Sequence, residues 1–229
     1  MSTHPVVAVK IDNTAAAMPQ VGLRRADHVW VQEVEAGITR LVAVFDTELP
    51  DEVGPVRSAR STDVELLPLY ARPLLVYSGA NPDVQRKLHR SALPTDTGGA
   101  GFRRAGLREG STTVKVGSGT QRFDHADGTY AVSTNGHAVT DAGRRVVTDN
   151  VVIMKVTNEP DGNADANGAR SVKSRTVGTG GLTVLRDGRR RTGRWKRTSL
   201  TGRLTLSAAD GHPITLTPAG PGSYSRGEM

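Results

Sequence analysis

The feature that most constrains this chain is a run of turn dipeptides in its second half. Asp127-Gly128, Asn135-Gly136, Asp187-Gly188 and Asp210-Gly211 punctuate short segments rich in β-branched residues: TYAVS, RRVVTDNVVIMKV, LTVLR, GRWKR, RLTLS and PITLT. Asn and Asp tolerate the left-handed backbone of a two-residue hairpin turn, and Gly adopts it without steric cost. The pattern predicts an antiparallel, β-rich C-terminal part over residues 121–229. Gly and Pro supply 38 of the 229 residues, in keeping with a chain that turns often. Only nine residues are aromatic, so the core must rest on Val, Leu, Ile and Ala.

Residues 1–120 read differently. PVVAVKID (5–12) and PLLVYS (73–78) are short apolar runs of the buried-strand type. HVWVQEV (28–34) and ITRLVAVFD (38–46) flank Ala36-Gly37 and make a hairpin. Thr62 and Glu65 have capping-box spacing ahead of Leu66, Leu67 and Leu69, which predicts a helix over 62–71, short or partly 3₁₀ because of Pro68. Asn81-Pro82-Asp83 opens a second helix that runs to Arg90. Residues 91–120 are Gly-rich and predict a long loop with at most one short strand near 112–116. The fold class is therefore α+β: a mixed sheet with short helices, then an antiparallel β-rich part.

The formal charge is +7, and residues 186–203 hold eight bases and one acid, so the rest of the chain is neutral. The basic stretch reads as a hairpin carrying Arg189, Arg190, Arg191, Arg194, Lys196 and Arg197. It is either a solvated strand protected from edge pairing by charge or a patch that contacts a polyanion by nonspecific electrostatics. Trp195 alone is available to stack on a base, which argues against sequence-specific nucleic-acid recognition.

The most informative stretch is Gly54 to Asp63. A Gly-Pro turn leads to Arg57 and Arg60, with Ser58, Ser61 and Thr62 beside them, just ahead of a helix. Forked guanidiniums in that place hold a carboxylate or phosphate bidentately. The alternative is that they pair with Asp63, Asp12 or Glu35 and tie the strand ends together. If the strands ending at Asp12-Asn13 and at Ser78 are neighbours, then Asp12, Asn13, Arg40, Arg57, Ser58, Arg60, Ser78 and Asn81 share one rim, where open α/β sheets bind ligands.

Other chemistry is not supported. The chain has no cysteine, its six histidines are isolated, and it lacks HExxH, G-x-S-x-G and a P-loop, so no metal or cofactor is expected. DGNADANG (161–168) resembles the start of a calcium loop, but Ala166 replaces the required Gly and Val172 the bidentate carboxylate. Residues 157–170 have no apolar period and predict a mobile surface loop. No apolar run is long enough to span a membrane. MSTHPVVAVK shows neither the basic nor the apolar region of a signal peptide, so the protein is cytoplasmic or its export segment lies outside this chain.

PVVAVKIDN (5–13), ADHVWVQEVEAGITRLVAVF (26–45), VGPVRSAR (53–60) and PLLVYSGANP (73–82) resemble the YerB-like family of bacterial lipoproteins. So do DGTYAVSTNGHAVTDAGRRVVTDNVVIMKV (127–156), VGTGGLTVLRDGRRRTGRWKR (177–197) and DGHPITLTP (210–218). The family's longer middle, with an aromatic-Arg-Asp stretch and a Pro-His-Asn segment, is replaced here by a short Gly-rich 99–122. The resemblance implies an extracytoplasmic protein of the cell envelope, anchored or secreted, and no reaction. The leading expectation is noncatalytic binding of an anionic small ligand or polymer. The alternatives are a hydrolase of an envelope phosphodiester or glycan, with Asp12 or Asp63 as acid–base, and nonspecific polyanion or nucleic-acid binding through 186–203.

Overall fold

The computed structural model describes residues 5–91, 93–96, 111–116, 119–141, 143–165 and 167–217. Most of the Gly-rich middle, including residues 97–110, lies outside them. The N-terminal strands are β1 (Val7–Asp12), β2 (His28–Glu33), β3 (Thr39–Phe45), β4 (Leu74–Val76) and β5 (Thr95–Asp96). They form one mixed sheet in the order β2-β3-β1-β4-β5. β2 and β3 are the expected hairpin, turned by Ala36 and Gly37 at φ 52° and 71°. β1 runs antiparallel to β3 and parallel to β4, so β1 and β4 end at the same rim.

Two helices, α1 (Ser61–Leu66) and α2 (Pro82–Arg90), cover one face of this sheet. Ala8, Val42, Val44 and Leu75 pack there against Leu67, Val84 and Leu88. Pro68 cannot donate the next α-helical bond, and the chain continues from α1 as a 3₁₀ turn over Leu67–Tyr70. The start of α1 corrects the sequence reading. Its cap is Arg60, whose N–H donates to Asp63 Oδ2 at 2.7 Å, and Thr62 and Glu65 serve other contacts. Asp63 takes the place expected of Glu65 because the cap lies two residues earlier than the Thr62 spacing implied.

The C-terminal part is strand-rich and antiparallel. β6 (Ser111–Val116), β7 (Gly119–Ala126), β8 (Thr129–Thr134) and β12 (Val147–Thr148) lie in the order β12-β8-β7-β6, with β9 (His137–Ala138) also on β8. β10 (Thr140–Asp141) and β11 (Arg144–Arg145) pair separately. A second sheet contains β13 (Asn150–Met154), β16 (Gly178–Arg186), β17 (Arg189–Arg197) and β18 (Thr205–Ala208) in the order β13-β16-β17-β18. The turns follow the dipeptides: Asp127, Asn135 and Asp187, each with its following Gly, are all at positive φ.

Residues 157–170 are not a loop. β14 (Asn158–Ala164) and β15 (Arg170–Ser174) form a two-stranded hairpin. Its strands escape a hydrophobic-period reading because β14 is largely exposed and polar, and its order comes from backbone pairing and from contacts with the first part of the chain.

The two halves pack closely. On the sheet face opposite the helices, Val9, Ile11 and Ala43 meet Val139 and Val146. Asp141 accepts the N–H groups of Gly22 and Arg24, and Thr62 Oγ1 accepts that of Ser174. Glu65 Oε1 accepts from Thr176 and Val177, while its other oxygen lies 2.8 Å from Lys173 Nζ.

Candidate functional site

The segment from Gly54 to Arg60 is laid across the ends of β1 and β4. Asp12 N–H donates to Pro55 O, Arg57 N–H to Lys10 O, and Ser78 N–H to Arg57 O, at 2.8–3.0 Å. This brings Asp12, Arg57, Ser58 and Ser78 together at one rim. Arg57 Nε lies 2.9 Å from Asp12 Oδ2, and its side chain is 47% exposed. Ser78 Oγ donates to Val56 O, and Ser58 supplies its carbonyl to Arg60 and Arg40.

Asn13 and Asn81 have structural duties. Asn13 Nδ2 donates to Thr39 Oγ1, and its Oδ1 accepts from Gln20. Asn81 Oδ1 accepts the Val84 N–H at 2.9 Å and caps α2.

Behind Arg57 lies a buried charge cluster. Arg60 binds the Glu35 carboxylate through its Nε, and Ser171 Oγ on β15 donates to the same oxygen. Burial pushes the Glu35 carboxyl up, but the hydrogen bonds from Arg60 and Ser171 outweigh it and hold the group down at about 2. Arg40 is less well matched. It is 6% exposed, and among the described residues its ion-pair partner is Glu35 Oε2 at 3.9 Å and its Nε has no hydrogen-bond partner. Burial, and then the neighbouring Arg60 charge, bring Arg40 down to about 10.

Deeper still, Lys10 Nζ donates to Asp63 Oδ1 and to Gln32 Oε1, and burial lowers the Lys10 pKa. Sequence reasoning missed Lys10 and Gln32 as members. A lysine flanked by apolar residues inside a strand, VAVKI, is the signal that could have found the first. The joined cluster sets four cations (Lys10, Arg40, Arg57, Arg60) against three carboxylates (Asp12, Glu35, Asp63).

The basic hairpin divides into two kinds of residue. Arg189, Arg190, Arg191, Arg194 and Lys196 are exposed. Arg197 is buried, and its guanidinium donates to Glu65 O at the end of α1, to Thr176 Oγ1, and to the Leu200 and Gly202 carbonyls. Alternation accounts for Arg194 and Lys196, which point away from buried Trp195, while Arg189 and Arg191 share the Trp195 and Arg197 face but lie toward the Asp187-Gly188 turn, and burial on that face is complete only from Trp195 onward.

The arrangement defines a two-part α+β protein with a partly exposed guanidinium at a strand-end rim, backed by buried ion pairs. The chain belongs to the DUF3048 family: the family's N-terminal domain model, described as a protein of unknown function, matches residues 1–117, and its C-terminal domain model matches residues 112–220. A Bacillus subtilis protein named "Putative lipoprotein YerB" is 40% identical over 86 residues, a match spanning 38% of this chain and 26% of that protein. The crystal structure of YerB from Bacillus subtilis has the same fold, with a TM-score of 0.76 at 22% identity, covering 96% of this chain and 89% of that one. Among the described residues, no helix is long and apolar enough to cross a membrane.

Proposed function

We propose that the protein is a noncatalytic, envelope-associated binding protein that holds an anionic group of a small ligand or polymer at the Arg57 rim. The observation that carries this reading is the imbalance at the rim. A guanidinium as buried as Arg40, without a close carboxylate, leaves positive potential that a bound anion would complete, and Arg57 is the member of the cluster that solvent reaches. The extracytoplasmic setting is taken from the name of the YerB relative. The hydrolase alternative has less support, because Asp63 has no exposed surface and Asp12 is tied to Arg57 and to the Thr14 N–H.

The test is a thermal-shift series with phosphate and citrate against sodium chloride of equal ionic strength. Stabilisation by the multivalent anions, removed in Arg57→Ala, supports the rim; an undiminished shift in that variant sinks it.

A second reading rests on the exposed face of the basic hairpin. Among the described residues, no carboxylate forms an ion pair with Arg189, Arg190, Arg191, Arg194 or Lys196. These five would engage an anionic envelope polymer or nucleic acid without sequence preference. Such binding should weaken steeply with salt and disappear when the five are replaced by Gln.

A further inference from the structure

A cleft of about 280 Å³ opens between the two halves of the molecule, and neither Arg57 nor Arg60 is part of its lining. Its walls include every residue from Val29 to Glu33 on β2 and every residue from Asn150 to Met154 on β13. Successive side chains of a strand point to opposite faces, so a cavity touching an unbroken run of strand residues lies along the strand's edge, where backbone N–H and C=O groups project. β2 and β13 are each the terminal strand of their sheet. Among the described residues, β2 pairs as a strand with β3 alone and β13 with β16 alone, and the Asn150 backbone is also held by Thr148 Oγ1, so the open stretch of the β13 edge is Val151–Met154.

Open edges of this kind are normally blunted by lysine, proline or a bulge. β13 reads NVVIM and has none of these, and β2 reads HVWVQE. Two side-chain amides add to the demand for a partner. Gln32 and Gln121 line the cleft and are 5% and 2% exposed. Each has its oxygen engaged, by Lys10 and by Thr134 Oγ1 respectively, and each has an Nε2 with no hydrogen-bond partner among the described residues. An ammonium can only donate, so Lys10 fixes the orientation of the Gln32 amide. Buried donors left unpaired are costly, and a carbonyl-bearing guest would relieve both.

We propose that this cleft binds an extended, apolar peptide segment of another protein, added as a strand against the free edges of β2 and of β13 from Val151 to Met154. A peptide strand supplies what both edges lack, a row of backbone donors and acceptors, and its alternate side chains fit the apolar walls. Glu33 is the one charged residue among the lining, and its carboxylate already accepts from Asn158 Nδ2, so the segment is neutral or basic. A lipid or detergent chain would fill the apolar volume but leave the strand edges and both amides unpaired.

The probe is the blocked hexapeptide acetyl-Val-Thr-Val-Thr-Val-Thr-amide, compared with its alternately N-methylated form and with dodecyl maltoside. The readouts are affinity by titration calorimetry and hydrogen exchange of the backbone amides in 28–33 and 151–154. The unmodified peptide should bind and slow exchange in both strands. N-methylation, and separately Ile153→Lys, should weaken it about tenfold or more, as expected where main-chain bonds and an apolar wall carry the affinity. Gln121→Met, which keeps the volume and removes an unpaired donor, should weaken it less and serves as a folded control. Arg57→Ala should leave it unchanged, so failure of the rim and failure of the cleft are separable. Equal binding of the N-methylated peptide, protection of neither strand, or binding of dodecyl maltoside alone would overturn the proposal.

Discussion

The Lys10 ammonium lies 2.7 Å from Asp63 Oδ1, and neither side chain has any exposed surface. The pair joins the middle of β1 to the first turn of α1, and Gln32 on β2 accepts a second hydrogen bond from the ammonium. Removing one partner strands the other charge in the core. Lys10→Met should therefore cost about 3–5 kcal/mol. The double variant Lys10→Met/Asp63→Leu should recover much of that loss. Urea unfolding of the three proteins measures both, and a Lys10→Met variant as stable as wild type would contradict the pairing.

Glu35 makes stability depend on acid. Its carboxyl is held at about 2 against an ordinary 4.5, so the folded state binds its proton more weakly than the unfolded chain does. The stabilisation is complete above 4.5 and drains as the pH falls toward 2, a loss of about 3 kcal/mol from this group. Glu35→Gln should be less stable than wild type at neutral pH, and that gap should narrow at about pH 3. Urea midpoints of both proteins at the two pH values check the sign.

Two arginines six residues apart in β17 should behave oppositely. Arg197 is buried with four oxygen acceptors, so Arg197→Ala strips the buried Glu65 carbonyl and Thr176 hydroxyl, and two part-buried carbonyls, of their donor and should destabilise by about 3 kcal/mol. Arg191 is exposed, and Arg191→Ala should stay within about 0.5 kcal/mol. Thermal unfolding distinguishes them, and equal effects would mean that Arg197 is not seated as described.

The close approach of β17 and β18 sets a third limit. A Cβ at Gly193 would stand 2.8 Å from Ala208 Cα and collide with the Ser207 carbonyl. Both are backbone atoms and cannot rotate away. Gly193→Ala should push β18 outward, cost about 2 kcal/mol, in the range seen for overpacked sites, and speed hydrogen exchange in 205–208. Unchanged exchange there would show that the strands yield more easily than this.

Much of the fold was legible because hairpin turns and buried strands leave short-range marks. Asp127-Gly128 and Asp187-Gly188 turn where they should, and the apolar runs around Val9 and Leu75 are neighbouring strands. The hairpin 158–174 left no such mark, since β14 earns its place by pairing with β15 and presents polar residues to solvent. The spacing of Thr62 and Glu65 fitted a cap, yet both groups are taken by Ser174, Thr176 and Val177, more than a hundred residues away. Arg57 and Arg60 were visible as a pair, but their unequal burial is decided by Glu35 and Ser171, which the chain brings in from two other elements.

α1 has six residues, too few to be stable on its own. Its polar side chains reach outward in every direction: Ser61 to Lys87, Thr62 to β15, Asp63 to β1, and Glu65 to Lys173 and Thr176. Thr62 and Leu66 also form part of the cleft wall. This short helix thus acts as the keystone between the halves. Fraying it would loosen the seating of β15 and widen the slot beside β2 in a single event, so the gap a guest strand enters is gauged by the shorter of the two described α-helices.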